Sequence, residues 1–207
     1  MVTGKVTGII ANLISVEVSE PVSQNEIAYI ILGDERLMAE VIKIYGNIAS
    51  LQCFESTRGV STGLDVEFSG SMLEIELGPG LLSRNYDGLQ NDLDKKEGLF
   101  LKRGEYNTPL DEDTQYEYTA LVKTGDTVSA GDWLGSVTEN WIDHKIMVPF
   151  KLKGKYQVES IVPAGEYRIT EEIAVLKNSD GDTVPVTMTQ KWPIKIPIRV
   201  YKEKPRP

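Results

Sequence analysis

The chain has 207 residues, 41% of them hydrophobic and 26% charged, with a formal net charge of −9. That composition supplies a buried core and excludes a disordered chain, while the acid excess argues against a nucleic-acid footprint, which needs clustered cations to neutralise phosphates. A single cysteine, Cys53, excludes an internal disulfide framework, and a single histidine, His144, argues against zinc sites and His-based triads.

The first seventy residues alternate β-like runs with turn signals. Lys5–Ile10, Leu13–Val18, Ile27–Leu32, Leu37–Ile44, Ile48–Phe54 and Asp65–Phe68 are rich in Val, Ile, Leu and Phe, and Gly33-Asp34, Gly46-Asn47 and Gly59/Gly63 bound them. Six strands at spacings of about 8–12 residues predict a small closed barrel, the arrangement that removes exposed sheet edges. Met72–Leu77 reads as one more strand, and Gly78-Pro79-Gly80 then breaks the chain. Beyond it, Leu81, Leu82, Tyr86, Leu89 and Leu93 fall at spacings that suit one helical face, which predicts a short helix interrupted at Gly88.

A third pattern begins near Gln115. Val122, Gly125-Asp126, Val128, Gly131-Asp132 and Leu134 place Gly-Asp turns between short apolar runs. An imperfect echo, Val162-Pro163-Ala164-Gly165-Glu166, follows and predicts two hairpin-bearing halves packed as a flattened β-sandwich. Ile173–Leu176 and Val184–Thr189 continue it around the Asp180-Gly181 turn. Trp192–Pro207, with Pro193, Pro197, Pro205 and Pro207, favours an extended segment and reads as the end of an excised piece of something longer.

The chemistry-bearing motifs are thin. A P-loop needs bare backbone amides from Gly-x-x-x-x-Gly-Lys-[Ser/Thr]. Here Gly4-Lys5 precedes Val6 and Gly154-Lys155 precedes Tyr156, with no glycine five residues upstream of either. The proline in Gly78-Pro79-Gly80 removes a donor, so that run reads as structural punctuation. The Gly-Asp pattern resembles biotinyl/lipoyl carrier domains, in which a lysine on the hairpin between half-repeats is modified. That position is Trp141 here, Lys145 lies four residues too late, and an indole attaches no arm. Carboxylates at Asp92/Asp94, Asp111-Glu112-Asp113 and Glu171-Glu172 read as solvated, His144 as a surface or packing residue, and Cys53 as a small buried side chain. Trp141 and Ile142, apolar residues at a predicted hairpin tip, are the candidate partner-contact residues. No catalytic, nucleotide-binding or metal-ligating residue is predicted.

Several separated motifs share one resemblance. Gln52-Cys53-Phe54-Glu55-Ser56-Thr57-Arg58-Gly59-Val60 resembles the Gln-Val-Tyr-Glu-x-Thr-x-Gly-Leu stretch of the catalytic A subunit (alpha chain) of V-type and archaeal-type rotary ATPases. Leu73–Leu82 and Tyr86-Asp87-Gly88-Leu89-Gln90 are similar to that family's Ser-Val-Glu-Leu-Gly-Pro-Gly-Leu and Phe-Asp-Gly-Ile-Gln. Val122–Val128, His144–Pro149 and Met188–Pro193 continue the match in order, so it covers essentially the whole chain. One departure is clear: the family's Gly-Pro-Val-Val in the first hairpin is Ala11-Asn12-Leu13-Ile14 here, and Val18–Asn25 is unusual.

The resemblance implies a mainly β chain in four parts. These are an N-terminal six-stranded β-barrel over 1–69 and, over 70–114, a connecting segment and the edge of the nucleotide-binding domain, with a short helix. An inserted barrel-sandwich "bulge" domain over 115–189 and an extended linker over 190–207 complete it. It also implies a subunit that couples ATP hydrolysis or synthesis to proton or sodium transport, and that alternates with B subunits in a hexamer. The barrel would serve the crown of that ring and the bulge would meet peripheral-stalk subunits. ATP and Mg are expected for the intact subunit and no cofactor for this segment, whose P-loop is expected beyond Pro207. With no apolar run long enough to span a bilayer and no signal peptide at Met1–Lys5, the expected location is cytoplasmic, peripheral to the membrane. The rival readings are a biotinyl/lipoyl-like carrier and a stand-alone interaction module.

Overall fold

A computed structural model of the chain describes residues 2–82, 84–94, 103–104, 106 and 108–200. All regular structure among them is β. Contacts divide the chain into two units, one built on residues 1–74 and the other mainly on 75–95 and 108–192.

The first unit is a closed barrel of six strands: β1 (Thr3–Ile10), β2 (Leu13–Val18), β3 (Glu26–Leu32), β4 (Glu35–Tyr45), β5 (Ile48–Cys53) and β6 (Asp65–Met72). Their order around the barrel is β1-β2-β5-β4-β3-β6, every pair antiparallel. Alternation sends one face inward. Val6, Ile14, Val16, Ala28, Ile30, Leu37, Ala39, Val41, Ala49, Leu51, Val66 and Phe68 form the core, and Cys53 joins them as a small buried side chain. Burial pushes the Cys53 thiol above its ordinary range, so it stays protonated and unreactive.

Three two-residue turns join consecutive strands, and each begins with a residue at positive φ: Ala11 (54°), Gly33 (61°) and Gly46 (61°). The last two are the turns expected from Gly-Asp and Gly-Asn. The first is the site of the departure from the family pattern, and the left-handed turn persists there with an alanine in place of glycine. Arg103, Gly104 and Tyr106 also belong to this unit. Arg103 pairs with Glu35, the Gly104 amide donates to Glu55 at 3.1 Å, and the Met38 amide donates to the Tyr106 hydroxyl at 2.9 Å.

The second unit holds β7 (Glu74–Leu77), β8 (Gln115–Ala120), β9 (Thr127–Ser129), β10 (Trp133–Glu139), β11 (Ile142–Met147), β12 (Lys155–Ile161), β13 (Gly165–Arg168), β14 (Ala174–Lys177), β15 (Thr183–Val186) and β16 (Gln190–Pro193). Two four-stranded sheets, β11-β10-β8-β13 and β15-β14-β12-β9, make the sandwich, and β16 pairs with β7 in a two-stranded ribbon. One apolar cluster gathers Leu110, Tyr118, Val137, Ile146, Ile169 and Ile173; another gathers Val128, Leu134, Val148, Val158, Leu176 and Val186. The echo around Gly125 and Gly165 is thereby explained: β9 pairs with β12 in one sheet, and β13 pairs with β8 in the other.

The short helix expected over residues 81–93 is not there. Among the described residues this stretch is a loop closed by a bridge between Tyr86 and Asp92. Asp87 is the cause. Its carboxylate accepts the amides of Leu89 (2.9 Å) and Asn91 (2.8 Å) and the Asn91 side-chain amide (2.9 Å), bonds that replace a helical ladder. Gln90 then sits at φ 62°, outside helical space. Its side chain pairs with the Glu76 backbone on both sides, accepting from N and donating to O at 2.7 Å each, as a neighbouring strand would. Apolar spacing alone could not reveal this competition. In the linker expected over 190–207, Gln190–Pro193 is β16 rather than free extended chain, and 201–207 lie outside the described residues.

Candidate functional site

The β10–β11 hairpin carries the two residues singled out as partner contacts. Its two-residue turn is Asn140-Trp141, with Asn140 at φ 56°. Asparagine tolerates that left-handed conformation better than most side chains, which sets the turn and thrusts Trp141 outward. Trp141 is 85% exposed and Ile142, the first residue of β11, is 42% exposed. The structure therefore brings them together at one tip. Lys145, three residues further on, pairs with Asp143 and lies 5.2 Å from the centre of the Trp133 ring. The Lys145 ammonium, helped by the Ser136 hydroxyl, holds the Asp143 carboxyl below the usual carboxylate range.

What holds this hairpin is a residue that sequence reasoning passed over. Glu139, the last residue of β10, is only 6% exposed. One carboxylate oxygen accepts the backbone amides of Gly80 (2.9 Å) and Leu82 (3.0 Å), and the other lies 2.7 Å from Nδ1 of His144. A buried carboxylate is stable only when so satisfied. The Gly80 amide of the Gly78-Pro79-Gly80 run thus goes to an internal carboxylate, which leaves it unavailable to an external anion. His144 has a defined role in the same network, donating from Nδ1 to Glu139. The signal in the sequence was period-two spacing: Gly135, Val137 and Glu139 share one inward face of β10.

A second buried carboxylate lies in the loop that replaces the expected helix. Asp92 is fully buried, pairs with Arg84 at 2.9 Å and accepts the Asp94 amide at 3.0 Å. Its partners are complete, so its part is to fold the loop. Asp111 likewise accepts the Asp113 amide and the Thr114 hydroxyl, closing a turn before β8. Glu171 accepts the Arg168 amide. The three acidic groups noted in the sequence thus remain on separate loops and share no centre. Among the described residues no group of three His, Cys, Asp or Glu gathers as a metal site. No helix among them is long and apolar enough to cross a membrane.

Comparison with known proteins agrees with this geometry. Residues 6–70 match the beta-barrel domain of the ATP synthase alpha/beta family, and residues 107–195 match the ATPsynthase alpha/beta subunit barrel-sandwich domain. The V-type ATP synthase alpha chain of Borrelia hermsii is 47% identical over 204 residues, covering 97% of this chain and 35% of that protein. The alpha chain of Borrelia turicatae is 46% identical over the same shares. That of Treponema denticola is 44% identical over 207 residues, 99% of this chain and 35% of its own. The chain thus spans about a third of the length of the curated relatives it matches. With the barrel, the sandwich and the ordered motifs all in agreement, the chain belongs to the ATP synthase alpha/beta family, and it is similar there to the V-type alpha chains.

Proposed function

We propose that this chain is the assembly and stator-facing part of a V-type ATP synthase alpha chain. In the whole assembly, ATP turnover on the alpha chain couples to proton or sodium transport. The barrel offers a continuous lateral surface for contacts with B subunits in an alternating hexamer. The sandwich carries the contact with peripheral-stalk subunits through Trp141 and Ile142. The observation that supports this most directly is the tip itself: an almost fully exposed tryptophan on a hairpin whose root Glu139 ties to the Gly80 and Leu82 amides. An exposed aromatic on a rigid support is a common anchor of protein interfaces, because little conformational entropy is lost when it docks.

ATP and Mg belong, in this reading, to the intact alpha chain and are not held by this chain. Neither Gly-Lys pair forms a P-loop, and the Gly80 and Leu82 amides are taken by Glu139. The carrier reading is not favoured, because the hairpin tip presents Trp141 and no lysine.

Two measurements test the proposal. Replacing Trp141 and Ile142 together by serine in the full alpha chain should abolish co-purification of stalk subunits while leaving the alternating ring intact; retained stalk binding would sink the tip assignment. Calorimetric titration of the chain with Mg-ATP should give no heat of binding, and a micromolar isotherm would overturn the non-catalytic reading.

A further inference from the structure

The end of the sandwich from which Trp141 projects has a charge character as well as an apolar knob. β8 runs antiparallel to β10, with Tyr118 opposite Val137, so β8 begins at the end where β10 finishes. β13 runs antiparallel to β8, with Arg168 opposite Gln115, so β13 also finishes there. Three connections therefore emerge together: the Asn140-Trp141 turn, the approach to β8 through residues 111–114, and the loop after β13 through residues 169–172. The first presents Trp141 and Ile142. The other two present Glu112, Asp113, Glu171 and Glu172, all exposed. Among the described residues the cations near this end are Arg168, Arg84, which is paired with Asp92, and Lys145, further down β11, which is paired with Asp143.

We propose that this end docks a protein segment carrying Lys or Arg beside apolar side chains, as a basic amphipathic helix does; the proposal rests on the stalk-contact reading of Trp141. An indole face attracts an ammonium or guanidinium within about 6 Å, and the same ring covers the apolar stem of that side chain. The surrounding carboxylates speed the encounter and set the orientation, because at about 0.1 M salt charges act over roughly 10 Å. The same charges disfavour the other classes of occupant. A second copy of this end would bring like charges together, and nucleic acid or an anionic membrane surface would be repelled.

The test measures binding of the full alpha chain to the peripheral-stalk subunits of the same assembly, with rates resolved by surface plasmon resonance. Raising the salt from about 50 to about 300 mM should weaken association at least tenfold. The double reversal Glu112→Lys with Asp113→Lys should slow association about tenfold and leave dissociation nearly unchanged, whereas Trp141→Ser should act mainly on dissociation. Binding that needs Trp141 but ignores both salt and charge reversal would overturn the basic-partner inference and leave the stalk-contact reading standing. Binding that ignores Trp141 as well would remove both. Self-association of the chain that Trp141→Ser abolishes, seen by analytical ultracentrifugation, would also overturn the inference, since the occupant would then be a second copy.

Discussion

At the scale of single residues, two backbone positions show where side-chain choice is under strain. Ala11 opens the β1–β2 turn at φ 54°, a conformation an L-residue with a Cβ adopts at a cost of about 1 kcal/mol. Ala11→Gly is expected to raise the unfolding free energy of the barrel by about 1 kcal/mol, measured by urea denaturation. Gly135 is the opposite case, where space decides. A Cβ there would stand 2.2 Å from the Tyr118 ring, because Tyr118 lies across the β10 backbone and donates its hydroxyl to the Leu134 carbonyl at 3.2 Å. Burial pushes the Tyr118 phenol up to about 12. In the folded chain it holds its proton at pH values where the unfolded chain has lost it, so folding binds the proton more tightly. The stabilisation is complete below about pH 10 and drains away as the pH rises towards about 12, amounting to some 2–3 kcal/mol. Urea titrations of the sandwich at pH 9, 10 and 11 should show this fall, and Tyr118→Phe should flatten it.

At the scale of elements, the β10–β11 hairpin depends on one carboxylate. Glu139→Ala would leave the part-buried Gly80 and Leu82 amides without acceptors, at an expected loss of about 1–3 kcal/mol. Hydrogen exchange at those two amides should quicken sharply. Glu139→Gln retains a carbonyl acceptor and should recover most of the protection, with His144 switching to its other tautomer to accept from the new amide. If both variants exchange as slowly as the parent chain, Glu139 is not the anchor. The loop over residues 84–94 makes the complementary point. Its apolar spacing suited a helix, but the Asp87 carboxylate and the Gln90 side chain take the backbone groups that a helix would have used. Spacing reports where apolar side chains fall; it is silent on which polar side chain will compete for the backbone.

At the scale of the whole molecule, the apolar cluster of the barrel shares no residue with the two clusters of the sandwich. Leu51 is fully buried in the barrel and Leu176 in the sandwich. Truncating either to alanine should cost about 2–5 kcal/mol in its own unit. Calorimetric unfolding of Leu51→Ala and Leu176→Ala should therefore lower different parts of the melting profile. A common shift of one single transition in both variants would show that the units unfold as one cooperative body.

The six barrel strands, most of their turns and the family were determined by the sequence alone, because each rests on local pattern. Runs rich in Val, Ile, Leu and Phe mark the barrel strands, Gly33-Asp34 and Gly46-Asn47 mark turns, and the ordered motifs from Gln52 to Pro193 mark the relationship. Trp141 and Ile142 were legible as a hairpin tip for the same reason. Only the tertiary structure decided three further things: that residues 81–93 fold as a loop, that Glu139 is buried as the hairpin's anchor, and that the acidic connections emerge beside Trp141. The loop turns on Asp87 and Gln90, polar side chains that apolar spacing does not weigh. The other two depend on groups far apart in the chain, Glu139 reaching Gly80 across 59 residues. Such contacts are set by how strands pair and pack, which no window of local sequence contains.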